Sequence, residues 1–230
     1  MIPKIIHQFN IENSNESKER IDRIRRKHKN DWSHRLWKLK DVKNLYPHAP
    51  DKFKDKFEFF LKKGMHKNAE DIAKFLILKV DGGFYIDEGF VLVGGKNLNE
   101  IPFKDGNLVL FNSMYRRDEK YRFQETIIGA APNHPFMTHL LDYIDHKDYL
   151  PRCPFDGKIL EIYSSGYITT HYLLYNQIYN NSRIHTGYVS RVLAKDLKSS
   201  ENEIIINPNC FFVPNQSMVL KHNIQSKQFQ

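Results

Sequence analysis

The fold turns on Asp71-Ile72-Ala73-Lys74-Phe75-Leu76-Ile77-Leu78-Lys79-Val80-Asp81-Gly82-Gly83-Phe84-Tyr85-Ile86-Asp87-Glu88-Gly89-Phe90. Ile72, Phe75, Leu76 and Val80 recur at helical spacing, so a helix from Asn68 to Val80 puts one face on the core. Asp71 and Lys74 lie three apart on a different face, the spacing of an ion pair. Asp81-Gly82-Gly83 stops the helix, because glycine tolerates the left-handed backbone past a helix end. Phe84-Tyr85-Ile86 is a β-rich run, and Asp87-Glu88 closes it. This order places Asp87 at the carboxyl edge of a strand, where open α/β sheets bind ligands. A carboxylate there suits Mg²⁺ or Mn²⁺, which take oxygen ligands and bridge to substrate phosphates. Such an ion offsets charge on a departing diphosphate. On local pattern alone, a helix stop and a solvated acidic turn describe the same residues.

Outward from this stretch, strands and helices alternate. Ile2 to Phe9 is an opening strand centred on Ile5 and Ile6, and Asn15 to Lys29 a helix with Ile21 and Ile24 on one face. His34 to Leu39 is a second strand carrying Trp37. Asp41 caps a short helix that stops before Pro47. Asp51 to Lys63 is a helix, since Phe53, Phe57, Phe60 and Leu61 form an apolar stripe, and Gly64 ends it. Val91–Val93, Leu108–Phe111, Thr126–Ala130 and Ile204–Ile206 are strands. Pro135–Ile144 and Tyr167–Ile178 are helices. The pattern implies an α/β sandwich without repeat, low-complexity block or linker.

At 230 residues the chain has room for one sizeable core, hence one domain over 1–230 with 215–230 as a closing tail. A net charge of +8 favours anionic partners. Its densest run, Lys18 to Lys29, fits the solvated face of the amphipathic helix. No nucleic-acid motif accompanies it, so nucleic acid is not an expected partner. No apolar stretch reaches the length of a membrane span, so membrane contact is peripheral at most. Cys153 and Cys210 lack metal-ligand spacing and are expected as free thiols in a reducing, cytoplasmic setting. The many Lys, Asn and Ile residues point to an AT-rich bacterial or viral genome.

Several segments, in order along the chain, resemble the DXD-containing sugar transferases of glycosyltransferase family 32. That family includes the initiating α-1,6-mannosyltransferases and is a distant cousin of the glucosylating clostridial toxins. Ile2-Pro3-Lys4-Ile5-Ile6-His7-Gln8 is similar to its opening, and His34-Arg35-Leu36-Trp37 to its next landmark. Ala69-Glu70-Asp71-Ile72-Ala73-Lys74 with Asp81 to Asp87 resembles its core signature. Ile127 to Phe136 is similar to a later strand and Pro-Gly-His-Pro turn, and Ser165-Gly166-Tyr167 to its Thr-Gly-Pro segment.

The resemblance implies a GT-A nucleotide-sugar transferase fold: a Rossmann-like mixed sheet flanked by helices. It implies a hexose moved, with retention, from a UDP- or GDP-sugar to a glycan or glycoprotein acceptor, with Mn²⁺ or Mg²⁺. Gln8, Phe9, Asp71, Lys74, Gly83, Tyr85 and Asp87 would then meet the donor. Asp87 would be the catalytic carboxylate, and Asp87, Glu88 and His222 the metal ligands. Apart from the resemblance, Tyr115-Arg116-Arg117 with Lys120, Tyr121 and Arg122 interleaves basic and aromatic residues between two strands, as either a hold for an acidic acceptor or a solvated loop, and Glu125, just before the Thr126 strand, is placed to orient an acceptor hydroxyl.

The chain departs from the pattern at three places. Lys74 stands where the family usually has arginine and lacks its bidentate fork. Gly89 stands where the second aspartate belongs, and Glu88 falls one place early, on the opposite face of a regular strand. Asn10 occupies the place of a tryptophan that stacks on the base, with Phe9 beside it as a substitute. A degenerate binder of nucleotide sugars is the alternative that Gly89 raises. His7 and His134 are expected to be structural.

Overall fold

Ile5–Phe9 forms a strand (β1) whose residues are buried on both faces beyond Ile5, as a near-continuous apolar run in a covered sheet requires. The computed structural model describes residues 1–11, 15–88, 90–92, 98–100, 107–115, 120–144, 163, 167–168, 171–172, 175, 203–206 and 212–214. After β1 come helix Asn15–His28 (α1), strand Ser33–Trp37 (β2), helix Leu39–Lys43 (α2), and helices Asp51–Lys62 (α3) and His66–Asp81 (α4). Strands Gly83–Ile86 (β3), Phe90–Leu92 (β4), Leu108–Tyr115 (β5) and Lys120–Ala130 (β6) precede helix Pro135–Asp142 (α5). Strands Glu203–Ile206 (β7) and Phe212–Pro214 (β8) follow.

The main sheet has six strands in the order β2-β1-β3-β6-β5-β7, and β4 pairs with β8 in a separate ribbon. β1 runs parallel to β2 and β3, β6 is antiparallel to β3 and β5, and β7 is parallel to β5. The mixed α/β architecture is the one expected.

Side chains alternate across this sheet, as the two-residue strand period demands. Ile6, Phe84, Ile86, Val109, Phe111 and Ile127 pack with Ile24 of α1 and Trp32 on one side. Phe9, Tyr85, Leu108, Leu110 and Ile128 pack on the other with α3, α4 and α5. Phe53, Phe57 and Phe60 of α3 are fully buried there, each side chain worth about 1.5–3 kcal/mol of burial.

Four expectations need correction. Asp41 lies inside α2 rather than at its cap, and its carboxylate accepts the backbone N–H of Lys38 at 3.0 Å. α4 starts at His66, ahead of Asn68. Tyr115 and Lys120 to Arg122 belong to the β5–β6 hairpin, with Tyr115 opposite Lys120, rather than to a loop. The Asp71–Lys74 face of α4 is buried as well, because β6 covers it: Lys74 donates to the Glu125 carbonyl at 2.8 Å. Tyr167, Ile168, His171, Tyr172 and Tyr175 are helical, as expected. Among the described residues, no helix is long and apolar enough to cross a membrane.

Candidate functional site

The turn from α4 into β3 orients everything else. Gly82 and Gly83 have φ of +64° and +92°, and a Cβ on Gly83 would stand 2.6 Å from the Ile5 carbonyl oxygen. β3 is therefore pressed against β1, and the turn reverses the chain so that the first turns of α4 lie beside the carboxyl end of β3, where Lys67 meets Asp87. His7 fastens the turn from β1. Its Nε2–H donates to the Gly82 carbonyl at 2.7 Å, and its Nδ1 accepts from Trp37 Nε1 at 3.0 Å. Burial pushes the imidazole down to about 4, which keeps it neutral in this role. His134 is likewise structural: its Nδ1 caps α5 by accepting the N–H of Phe136. His7 and His134 thus fulfil their expected structural roles.

At the other end of α4, charged groups converge. Lys74 donates to Asp71 Oδ1 at 2.8 Å, and both side chains are at most 2% exposed. Lys67 lies 2.5 Å from Asp87 Oδ2 and 3.6 Å from Asp71 Oδ1. Burial opposes the Lys67 charge, yet the Asp87 and Asp71 carboxylates outweigh it and hold the ammonium well above its usual range. Glu70 reaches back to β1 and accepts the Ile11 N–H at 2.8 Å. Burial raises its carboxyl to about 7, against the pull of that N–H and of Lys67. Asp87 keeps its backbone on the sheet, its N–H donating to the Thr126 carbonyl at 2.7 Å.

Glu88 departs into a turn and faces elsewhere. Its two carboxylate oxygens take Asn10 Nδ2 at 2.7 Å and Arg20 of α1 at 2.8 Å. Asp87 and Glu88 thus address different cations. Among the described residues, no three His, Cys, Asp or Glu side chains form a group able to hold a metal ion. The Asp87–Glu88 part of the expected ligand set does not fit a shared divalent ion. His222, Arg116 and Arg117 lie outside the described residues, as do Gly89, the closing tail and both cysteines.

Of the remaining donor-site residues, Tyr85 and Phe9 lie on the α4 side of the sheet and Gln8 on the α1 side. Tyr85 is buried against the helical layer, and burial raises its phenol. Phe9 is 5% exposed and packs in the same core, so it holds β1 down rather than presenting an open ring. Gln8 accepts His34 Nε2–H at 2.6 Å through Oε1, while its buried Nε2 has no partner among the described residues. Glu125 is half-buried on β6. The structure thus brings Asp71, Lys74 and Asp87 together. It adds Lys67, Glu70 and the Arg20–Asn10 clasp on Glu88, which the sequence reading missed. The four-residue step from Lys67 to Asp71 was a readable signal for the first of these.

No family model matches the chain. Its sequence is 28% identical over 159 residues to an uncharacterized glycosyltransferase of Acanthamoeba polyphaga mimivirus, covering 65% of this chain and 57% of the relative. Its structure is similar to the solved PaToxG glycosyltransferase, with a TM-score of 0.56 at 15% identity, over 80% of this chain and 82% of that one. The fold is GT-A-like. The matched segment spans a little over half of the viral relative, and the charged end of α4 sits at the strand edge where α/β folds carry ligands.

Proposed function

We propose that the chain is a glycosyltransferase of the family 32 type, moving a hexose from a UDP- or GDP-sugar to a glycan or glycoprotein acceptor with retention. The observation that carries this reading is the convergence of Asp71, Lys74, Lys67 and Asp87 at the carboxyl ends of β1 and β3. Asp71 and Lys74 orient sugar or ribose hydroxyls. Tyr85 forms a floor beneath the nucleotide, and Gln8 Nε2 gives the donor a hydrogen bond. Asp87 holds the charge pattern around the diphosphate. Glu125 orients the acceptor hydroxyl, with Arg116 and Arg117 binding an acidic acceptor.

In the transfer, the bond from the anomeric carbon to the diphosphate oxygen breaks. A bond to the acceptor oxygen forms on the same face, and the acceptor's hydroxyl proton passes to the departing phosphate oxygen. Preorganised charge around that oxygen supplies the rate enhancement.

The test is released nucleotide from a panel of UDP- and GDP-sugars, with wild type, Asp87→Ala and Asp71→Asn. One donor should be cleaved, and each substitution should slow cleavage by about 10²–10³-fold. Binding without cleavage, with acceptors present, favours the degenerate binder instead. Cleavage unchanged in Asp87→Ala removes that residue from the site.

A further inference from the structure

Asp87 is bound by a cation that belongs to the chain, and Asp71, held first by Lys74 at 2.8 Å, lies near the same cation. The Lys67 ammonium sits between them, 2.5 Å from Asp87 Oδ2 and 3.6 Å from Asp71 Oδ1. A divalent ion that joins protein to diphosphate draws on one or two carboxylates plus phosphate oxygens. In this chain the first acid is already bound by Lys67. The residue two places on is Gly89, and the acid between them, Glu88, is clasped by Arg20 and Asn10.

Two further features of the same helix end suit an anion. α4 starts at a Met65 cap that makes no side-chain hydrogen bond, and its first turn holds no acid. The helix start thus carries the positive dipole end with no acid of its own first turn to offset it. Asn68, in that first turn, is 9% exposed and its Nδ2 has no hydrogen-bond partner among the described residues. A buried donor left so is costly unless a ligand accepts from it. The Lys67 side chain is 45% exposed along its length, while its ammonium is enclosed by the carboxylates that anchor it, and a diphosphate arriving from the exposed side would meet it as a second partner. With three N–H donors it can serve both.

We propose that Lys67 stands in the place of the divalent ion: its ammonium, braced by Asp87 and Asp71, receives the donor diphosphate together with Asn68 Nδ2 and the α4 N-terminus, and donor binding needs no metal. This rests on the donor-site reading above. The bracing carboxylates fix the ammonium in position before the donor arrives, which lowers the ordering cost of binding. Their own contacts with phosphate remain indirect, through the cation they hold.

Calorimetric titration of UDP, GDP, UDP-glucose and GDP-mannose, each with Mn²⁺ and with EDTA, tests this. The proteins are wild type, Lys67→Met, Lys67→Arg and Asn68→Ala, with melting temperatures recorded for each. Wild type should bind one nucleotide class with affinities within about twofold in the two conditions. Lys67→Met should weaken binding about 10–100-fold in both, the loss of one charge-assisted hydrogen bond. Lys67→Arg should retain more affinity, and Asn68→Ala should lose less than Lys67→Met. Wild-type binding that needs Mn²⁺ and vanishes in EDTA overturns the proposal and leaves the donor site standing. A folded Lys67→Met with wild-type affinity also overturns it. No binding of any nucleotide in either condition overturns the donor-site reading itself. Should Lys67→Met fail to fold, the wild-type comparison still decides.

Discussion

At its C-terminal end α4 runs into Gly82 and Gly83. There a neutral imidazole, an indole N–H and a backbone carbonyl close on one another in the core. At its N-terminal end, four turns away, it gathers Lys67, Glu70, Asp71 and Asp87, and carries a buried amide nitrogen without a partner among the described residues. One helix thus joins an end whose buried polar groups are satisfied, with the Asp81–Arg35 pair at its rim, to a charged end that holds donors in reserve. Internal satisfaction serves the fold, and unfilled hydrogen-bonding capacity marks where a ligand is expected. Lys74 lies between the two, its ammonium buried against Asp71 and the β6 backbone.

Substitutions along α4 can break or sharpen that contrast. The largest effect falls on Lys74→Met, which leaves Asp71 buried with only the more distant Lys67. A loss of about 3–5 kcal/mol is expected from denaturant titration. The double variant Asp71→Asn/Lys74→Met should recover much of it, because no uncompensated charge then remains. Next comes Gly83→Ala. Its Cβ meets the Ile5 carbonyl oxygen in a backbone region that alanine avoids, and about 3 kcal/mol should be lost. Nucleotide affinity of the molecules still folded should be unchanged, which separates the two ends. If Gly83→Ala weakens binding at unchanged stability, the contrast fails.

Acid should act on the neutral imidazoles. His7, His34, His134 and His171 are each pushed down to about 4, with burial the main cause. The unfolded chain takes up these protons near pH 6.5, the folded chain only near 4. Their contribution is therefore fully present above pH 6.5 and is lost as pH falls from there toward 4. Melting temperature should drop across that window. His134→Asn keeps an N-cap acceptor for α5 and removes one titrating ring, so its drop should be shallower. The smallest effect is expected at Arg35→Ala. That guanidinium stacks 3.7 Å from the Trp37 ring centroid and pairs with Asp81, but it is half-exposed, so less than about 1 kcal/mol should be lost.

Much of this layout was legible before any coordinates. Apolar spacing gave α3 and α4, the glycine pair gave the turn, and together they located Asp87 at a strand end. What stayed hidden depended on contacts between distant segments. An i, i+3 spacing of Asp71 and Lys74 is compatible with a surface pair or a buried one, and only the seating of β6 over α4 decides. The Lys67–Asp87 contact exists because α4 doubles back along β3, a tertiary consequence of the Gly82–Gly83 geometry. Glu88 looked like a neighbour of Asp87 in function because it is a neighbour in sequence. Its place in a turn sends it to Arg20 of α1 instead.

The central claim, that the N-terminal end of α4 is where the donor binds, is most directly tested by amide hydrogen exchange with and without a UDP- or GDP-sugar that the protein binds. Exchange should slow at residues 66–71, 87–88 and 10–11 and stay unchanged at residues 81–83. Slowing centred on residues 81–83, or a bound nucleotide that leaves 66–71 and 87–88 untouched, would contradict it.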